Sequence, residues 1–235
     1  MTGATERFAR YAIFWLPPAD SALAQFGREW FGLCPEAGEV GAPAGFGLPA
    51  DLAAEAVARP RRYTLHGTIV APFRPATRVS AAEIAAELRR FCARRAVVRT
   101  EPLRLMRLAR HLALMPEGRT AALDWLAADC VTHFNRFRAP TTDADMARYP
   151  AGDYTEGQRR NARQFGYPYV LSDFRFHVTL AGPLAPDRLE RVEAALATRL
   201  EPLADAPLEI ASLCLLGEAD QAAPFRLVER CALAA

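Results

Sequence analysis

The chain has 235 residues, of which 51% are hydrophobic and 24% are charged, and its formal net charge is +2 at pH 7. These values are ordinary for a folded, water-soluble protein and do not suggest disorder, and the net charge is too small to imply an obligate nucleic-acid binder. All 29 basic residues are arginine, so the sequence lacks the lysine that a P-loop or a Schiff-base enzyme requires.

The sequence carries no signal for a membrane or for secretion. Its longest apolar runs are far shorter than the roughly 20 residues that span a bilayer, and residues 1–7 lack the order of a secretory signal. The five cysteines are scattered singly, without the C-x-x-C spacing of a zinc or redox site. We therefore expect a cytoplasmic protein with no membrane partner, no metal and no cofactor.

The first half of the chain contains both strand-like and helical patterns. Runs rich in β-branched and aromatic residues that stop at proline predict strands, and apolar residues every three or four positions predict helices. The predicted elements are a strand over 9–16, a helix from Asp20 or Ser21 to about 31, a loop over 32–49, a short helix over 51–58, a strand over 62–71, a helix over 80–95, strands over 103–108 and 111–115, and a helix over 120–137.

The second half begins with a polar, arginine-rich segment over 139–169, in which the pattern predicts one helix near 156–165. The elements predicted after it are a strand over 174–180, a helix over 187–200, and strands near 208–215 and 225–231.

Two short segments of the chain resemble each other. Residues 63–72 read YTLHGTIVAP and residues 174–183 read FRFHVTLAGP, so His, Thr and Pro recur at identical offsets. Each segment is followed by a predicted helix and two predicted strands. The repeat predicts an α+β fold in which two pseudo-symmetric β-α-β-β lobes surround a central cleft.

We expect the whole chain, 1–235, to form one bilobal domain. The predicted parts are a first lobe over 51–118, a connecting helical region over 119–169, a second lobe over 170–235, and a strand and helix over 8–31 that pack onto the lobes.

The spacing of the repeated residues points to phosphoester chemistry. Residues two apart on a strand share a face, so His66 lies beside Thr68 and His177 beside Thr179. One neutral imidazole can act as a general base and one protonated imidazole as a general acid, and we leave open which is which. The threonine hydroxyls can donate hydrogen bonds to phosphate oxygens, and alternation places Arg175 on the face of His177 as a further phosphate ligand.

Other polar residues are weaker candidates. Tyr63, Tyr167 and Tyr169 are candidate substrate contacts; the last two could stack on a base or sugar, although loop packing explains them equally well. Solvent-exposed or structural roles are favoured for the remaining histidines, for three loop aspartates and for three helix arginines: His111, His133, Asp143, Asp145, Asp153, Arg159, Arg160 and Arg163.

The paired H-x-T motifs resemble those of the 2H phosphoesterase superfamily, which includes RNA 2′,3′-cyclic phosphodiesterases. Together with residues 62–73, 166–170 and 174–180, they look most like a branch encoded beside bacterial phosphonate-degradation genes. The resemblance implies a bilobal fold, catalysis by the two motifs without metal, and a substrate among cyclic phosphates such as a ribosyl 1,2-cyclic phosphate. The pattern of that branch has Ala after the first His and Lys two residues past the Thr, where this chain has Gly67 and Val70.

The sequence therefore predicts a metal-independent phosphodiesterase that opens a small cyclic phosphodiester. The main alternative is a non-catalytic protein that binds a phosphorylated metabolite or an RNA end in the same cleft, which the missing cation at Val70 favours. An enzyme acting on long RNA is a further alternative, although the modest net charge argues against it. The sequence leaves the oligomeric state and the regiochemistry of ring opening undecided.

Overall fold

A computed structural model describes residues 8–118, 120–203, 206–220 and 223–234 of the chain. The expectation that residues 1–7 lack a secretory signal concerns residues outside this described part. Within it, no helix has the length and apolar character needed to cross a membrane. The structure has the mixed helix and strand content that the sequence predicts.

The strands are β1 (Arg10–Trp15), β2 (Leu33–Cys34), β3 (Gly38–Glu39), β4 (Gly67–Phe73), β5 (Val98–Leu108), β6 (His111–Pro116), β7 (Val178–Ala181), β8 (Pro207–Ile210), β9 (Ser212–Glu218) and β10 (Arg226–Ala232). The helices are α1 (Ala22–Phe31), α2 (Ala50–Val57), α3 (Ala81–Cys92), α4 (Ala121–Phe134), α5 (Asp143–Met146), α6 (Glu156–Phe165) and α7 (Pro186–Leu200). Short 3-10 turns cover 60–63, 135–137, 171–173 and 201–203.

Side-chain caps explain where several helices begin. The Ser21 hydroxyl accepts a hydrogen bond from the backbone N–H of Ala24 at 3.1 Å, which starts α1 where the sequence places a cap. Ser80 and Glu83 form a reciprocal capping box at the start of α3. The predicted loop over 32–49 contains the short hairpin of β2 and β3. The sequence did not predict this hairpin because its glycine and proline content is typical of a loop.

Two four-stranded antiparallel sheets form the framework of the molecule. Their strand orders are β10-β9-β1-β4 and β7-β6-β5-β8. The strands that follow the two H-x-T histidines, β4 and β7, are thus edge strands, and they contact each other. The two sheets therefore meet along the chain segments that carry the repeated motifs.

The two sheets do not divide at the predicted boundaries of the lobes over 51–118 and 170–235. Strand β4 pairs with β1 in the sheet of β9 and β10, whereas β7 pairs with β6 in the sheet of β5 and β8. Each sheet therefore combines strands from both halves of the chain, and one continuous hydrophobic core spans them. A repeat shows which elements recur, but strand pairing is non-local and is not specified by the order of the elements.

The motif strands begin later than the sequence predicts. A strand was expected over 62–71 and over 174–180, but β4 begins at Gly67 and β7 at Val178. A 3-10 turn precedes each of them, and Thr64 has a φ of 59°, which breaks the extended conformation. His66 and His177 therefore each lie one residue before their strand.

Candidate active site

A single cavity of about 440 Å³ lies where the two sheets meet. His66 and Thr68 line it from the start of β4, and His177 and Thr179 line it from the start of β7, with each histidine one residue before its strand. Small-molecule sites commonly enclose about 300–1,000 Å³, so this cavity has room for a small ligand. The structure brings the two distant motifs to one place.

Phe176, which precedes the second motif histidine, packs against the first motif. A Cβ atom added to Gly67 would lie 2.2 Å from Cζ of Phe176, so the ring occupies the space that a side chain at 67 would need. The same ring lies 5.9 Å from that of Trp15 in an edge-on arrangement. The glycine at 67, which departs from the pattern of the resembling branch, therefore permits the close approach of the two motifs.

Gly67→Ala should push the Phe176 ring away and separate the motif histidines. We expect a loss of about 1–3 kcal/mol in the free energy of unfolding, as for other overpacked cores. We also expect kcat/KM of the folded variant to fall, because the two histidines no longer have their native separation. Denaturant unfolding and steady-state kinetics measure the two effects. Combining Gly67→Ala with Phe176→Leu makes room for the new methyl group and should restore part of both; no rescue would contradict this account.

The two imidazole rings are held in the same way. Nδ1–H of His66 donates to the backbone carbonyl of Thr64 at 3.1 Å, and Nδ1–H of His177 donates to that of Arg175 at 2.8 Å. In each case the acceptor is two residues earlier in the chain. Because a carbonyl can only accept, each Nδ1 carries the proton, and the Nε2 of a neutral ring is left as an acceptor.

His66 is a buried histidine with aromatic neighbours. Its ring centroid lies 4.2 Å from that of Phe14 and 5.5 Å from that of Tyr63. Burial lowers the pKa of His66 to about 4; the hydrogen bond to the Thr64 carbonyl opposes this shift, and the nearby His177 adds to it. At neutral pH the His66 ring is therefore uncharged.

The cavity is rich in arginine. Among the described residues that line it, five arginines stand against one aspartate: Arg10, Arg59, Arg74, Arg138, Arg148 and Asp145. These arginines carry no signal in the sequence, because they come from separate segments and share no motif. They make the cavity suited to an anionic ligand.

Position 70, where the resembling branch has lysine, does not face the cavity. Val70 is 6% exposed and belongs to the hydrophobic core, opposite Ile13 of β1. Register shifts in the β1–β4 ladder add residues to β4, so simple alternation from Thr68 to position 70 fails. The absence of a cation at Val70 therefore does not leave the cavity without positive charge.

A fully buried carboxylate holds two arginines beside the first motif. Oε2 of Glu218 accepts a hydrogen bond from Nε of Arg10 at 2.6 Å, and Oε1 pairs with Arg62. Arg10 lines the cavity, and the guanidinium of Arg62 lies 5.3 Å from the centre of the Tyr63 ring. A single glutamate at the end of β9 gives no sequence signal for this role.

Arg175, a predicted phosphate ligand, is not among the residues that line the cavity. Its side chain is exposed, and Nη1 donates to the backbone carbonyls of Phe174 at 2.6 Å and Ser172 at 3.2 Å. Because β7 begins only at Val178, strand alternation does not extend back to Arg175. It is the backbone carbonyl of Arg175 that contacts His177.

The other candidates are divided between the cavity and the surface. Tyr63 and Tyr167 line the cavity, whereas Tyr169 is 42% exposed and lies outside it, with its ring 5.6 Å from that of Tyr167. His111 and Asp145, for which exposed or structural roles were favoured, also line it.

His133 instead lies away from the cavity, with Nε2 2.7 Å from a carboxylate oxygen of Glu87. Arg159, Arg160 and Arg163 of α6 are not part of the cavity wall either. Over the described ranges, no three His, Cys, Asp or Glu side chains are grouped so that they could hold a metal ion.

Residues 68–226 match the model of a family described as a protein of unknown function, DUF1045. The chain belongs to the DUF1045 family. This DUF1045 chain is 31% identical, over 229 residues, to a Janthinobacterium sp. (strain Marseille) protein named ribose 1,5-bisphosphate phosphokinase PhnN, covering 94% of the chain and 50% of that protein. A protein of the same name from Laribacter hongkongensis (strain HLHK9) is 31% identical over 219 residues, covering 93% and 50%.

The DUF1045 chain thus spans about half the length of the curated relatives it matches. Among solved structures, one described as a crystal structure of phosphoesterase aligns over 97% of this chain and 100% of its own, with a TM-score of 0.45 and 13% sequence identity.

Proposed function

We propose that this chain is a 2H-type phosphodiesterase that hydrolyses a small cyclic phosphodiester by metal-independent, two-histidine acid–base catalysis. The observation that carries the proposal is the matched anchoring of two imidazoles in one arginine-rich cavity. His66 and His177 each donate Nδ1–H to the carbonyl two residues earlier. That arrangement leaves both Nε2 atoms available for proton transfer to one ligand.

The environment of His66 makes it the general base. Because burial keeps its ring neutral, Nε2 can take a proton from a water molecule as the water oxygen attacks phosphorus. The bond between phosphorus and the ring ester oxygen breaks, and protonated His177 donates its Nε2 proton to that leaving oxygen. The product is a phosphomonoester with one free hydroxyl, and positioned proton transfer of this kind contributes about 10²–10⁴-fold in rate.

The hydroxyls and cations of the cavity stabilise the developing negative charge. Thr68 and Thr179 line the cavity beside the two histidines and donate hydrogen bonds to non-bridging phosphate oxygens. Arg10, held in place by the buried carboxylate of Glu218, adds a fixed positive charge next to the first motif.

Resemblance and relatives both favour a phosphoribosyl substrate. The resembling branch is encoded beside phosphonate-degradation genes, and the curated relatives are named for a kinase of ribose 1,5-bisphosphate. This chain has no lysine and so no P-loop of the usual kind, and we assign the kinase activity in those names to the half of the relatives that it does not match. A ribosyl 1,2-cyclic phosphate and 2′,3′-cyclic nucleotides are the substrates to test first.

The test is turnover of these cyclic phosphates in the presence of EDTA and in water enriched in ¹⁸O. We expect ring opening to a monoester with one ¹⁸O atom in the phosphate group, at a rate that EDTA does not change. Activity that disappears with EDTA and returns with a divalent metal would rule out the metal-independent mechanism. Tight binding of the cyclic phosphates without turnover would identify a non-catalytic binding protein instead.

The pH dependence of kcat/KM should report the shifted His66. As a general base it must be deprotonated, so the acid limb should fall near pH 4, well below the usual histidine value of 6.5. His133→Gln, outside the cavity, should leave the profile unchanged, and an acid limb near 6.5 would contradict the assigned base.

The same shift makes a prediction for stability. A histidine whose pKa is lowered on folding stabilises the protein fully above pH 6.5, and this contribution is lost as the pH falls from 6.5 towards 4. As the pH falls over that interval, the free energy of unfolding of the native protein should therefore decrease more than that of a His66→Gln variant.

A further inference from the structure

Arginines cluster at the end of the cavity away from the motif histidines. Beyond β4 the chain continues into residues 74–76, which pair with 137–139: the N–H of Ala76 donates to the carbonyl of Phe137, and that of Ala139 to the carbonyl of Arg74, both at 2.8 Å. This pairing places the backbones of Arg74 and Arg138 together, eight residues along the chain from His66, which is about 26 Å of regular strand at about 3.3 Å per residue. Both side chains line the same cavity as the histidines.

Arg138 is fixed there without a carboxylate partner. Its Nη2 donates to the carbonyl of Gln164 at 2.9 Å and its Nε to Oδ1 of Asn135 at 3.3 Å, both neutral acceptors. It forms no ion pair with any residue that the structure describes, and burial lowers its pKa. A partly buried, oriented guanidinium of this kind favours an anion that enters the cavity.

Two further arginines increase the positive charge at this end. Arg74 and Arg148 share the carboxylate of Asp145, at 2.5 Å and 3.2 Å. With Arg138 this gives three guanidinium groups for one carboxylate. A phosphomonoester carries close to two negative charges at neutral pH and would balance that excess.

Aromatic side chains connect the two ends of the cavity. Tyr63 lies beside His66, and Tyr149, whose hydroxyl donates to the carbonyl of Gly166 at 3.4 Å, lies beside the arginine cluster. Tyr167 follows Gly166 and lines the space between them. A sugar or a nucleoside can pack on such a wall while charged groups at its two ends reach opposite ends of the cavity.

We propose that Arg74, Arg138 and Arg148 form a second phosphate subsite, so that the preferred ligand is a sugar or nucleoside cyclic phosphodiester that also carries a terminal phosphomonoester. The inference rests on the proposed function for the reacting end of that ligand. The second subsite makes a terminal phosphomonoester part of ligand recognition, which the paired histidines do not require.

A binding experiment tests the subsite without relying on catalysis. Adenosine 2′,5′-bisphosphate and adenosine 2′-monophosphate differ only by the terminal phosphate, and isothermal titration calorimetry compares their affinities. We expect the bisphosphate to bind at least about 10-fold more tightly, since hydrogen bonds to a charged group contribute that much or more. Equal affinities for the two ligands would overturn the proposal.

Variants locate the subsite. Arg138→Gln and, separately, Arg148→Gln should each reduce the preference for the bisphosphate by at least about 10-fold. Arg160→Gln removes an exposed arginine that is paired with Glu156 outside the cavity, and it should leave the preference unchanged. Because Arg148 is more exposed than Arg138, its variant keeps the test decisive if Arg138→Gln unfolds. An unchanged preference in a folded Arg148→Gln variant counts against the subsite.

Kinetics separate this inference from the proposed function. Turnover of adenosine 2′,3′-cyclic phosphate is compared with that of its 5′-phosphorylated form, and we expect a higher kcat/KM for the latter. Equal turnover of both would support the phosphodiesterase and reject the subsite. A bisphosphate preference in binding with no turnover of either compound would support the subsite and reject the phosphodiesterase.

Discussion

Replacing either His66 or His177 with alanine is expected to lower kcat by at least about 10²-fold, because each change removes one of the two proton-transfer groups. The double variant should lose little more kcat than the less active of the two single variants, since the two rings act as one unit in a single step. Steady-state kinetics on a cyclic phosphodiester measures all three losses.

The leaving group of the substrate distinguishes the two roles. A 4-nitrophenyl phosphodiester expels an anion that needs no protonation, so the loss caused by His177→Ala should largely disappear with this substrate. The loss caused by His66→Ala should remain, because the attacking water still needs a base. If His66→Ala is the variant rescued, the assignment of base and acid is reversed.

Two other histidines serve as controls. His133→Ala removes a ring that pairs with Glu87 away from the cavity, and kcat should stay within about twofold of the native value, as for surface substitutions away from a site. His111→Ala removes a ring that lines the cavity but has no threonine two residues later, and its effect should be smaller than that of either motif histidine. A loss at His111 equal to that at His177 would contradict the paired-histidine mechanism.

The sequence predicted the elements and the motif pair because both leave local signals. Hydrophobic periodicity and caps such as Ser21 and Ser80 place α1 and α3 within a few residues of their observed starts. The motif pair was found because His, Thr and Pro recur at the same offsets, and the structure places both copies on one cavity.

What the sequence missed depends on contacts between distant parts of the chain. The pairing of β4 with β1, and of β7 with β6, is decided by packing across the core and not by the order of the elements. The register shifts that bury Val70 arise in the same ladder and have no local signature. The sequence pattern predicts a strand from 174, whereas β7 begins at Val178, so alternation along a strand does not place the Arg175 side chain.

The arginines of the cavity also could not be predicted from the sequence, because they come together only through contacts between distant parts of the chain. Arg10, Arg138 and Arg148 lie on different elements, and each would be interpreted as a solvated surface charge on its own. Only the fold places them around one space. Tyr63 and Tyr167 were candidate substrate contacts, and the structure places both in the cavity wall.

Glu218→Ala should be the most destabilising single change at the site. It leaves Arg10 and Arg62 without the buried carboxylate that they share, and breaking a buried ion pair by removing one partner costs about 3–5 kcal/mol. Because the two arginine side chains are 19% and 31% exposed, we expect the lower end, about 3 kcal/mol. In a chain of this size that corresponds to a fall in Tm of about 6–12 °C.

Glu229→Ala is the matched control for this prediction. Glu229 lies on β10, the strand next to β9, and pairs with Arg89. Both members of this ion pair are exposed to solvent, with 56% of the Arg89 side chain and 28% of the Glu229 side chain accessible. Exposed pairs contribute about 0–1 kcal/mol, so this variant should melt within a few degrees of the native protein. Similar losses for the two variants would contradict a special role for the buried carboxylate.

Glu218→Gln separates the charge of this residue from its shape. The amide oxygen of glutamine can still accept one hydrogen bond, but the amide group gives no negative charge to hold two guanidinium groups together. Arg10 should then be free to move within the cavity, so KM for a cyclic phosphate should rise even where the variant remains folded. If Glu218→Gln keeps the native KM and the native Tm, the buried carboxylate does not position Arg10, and the first motif does not depend on it.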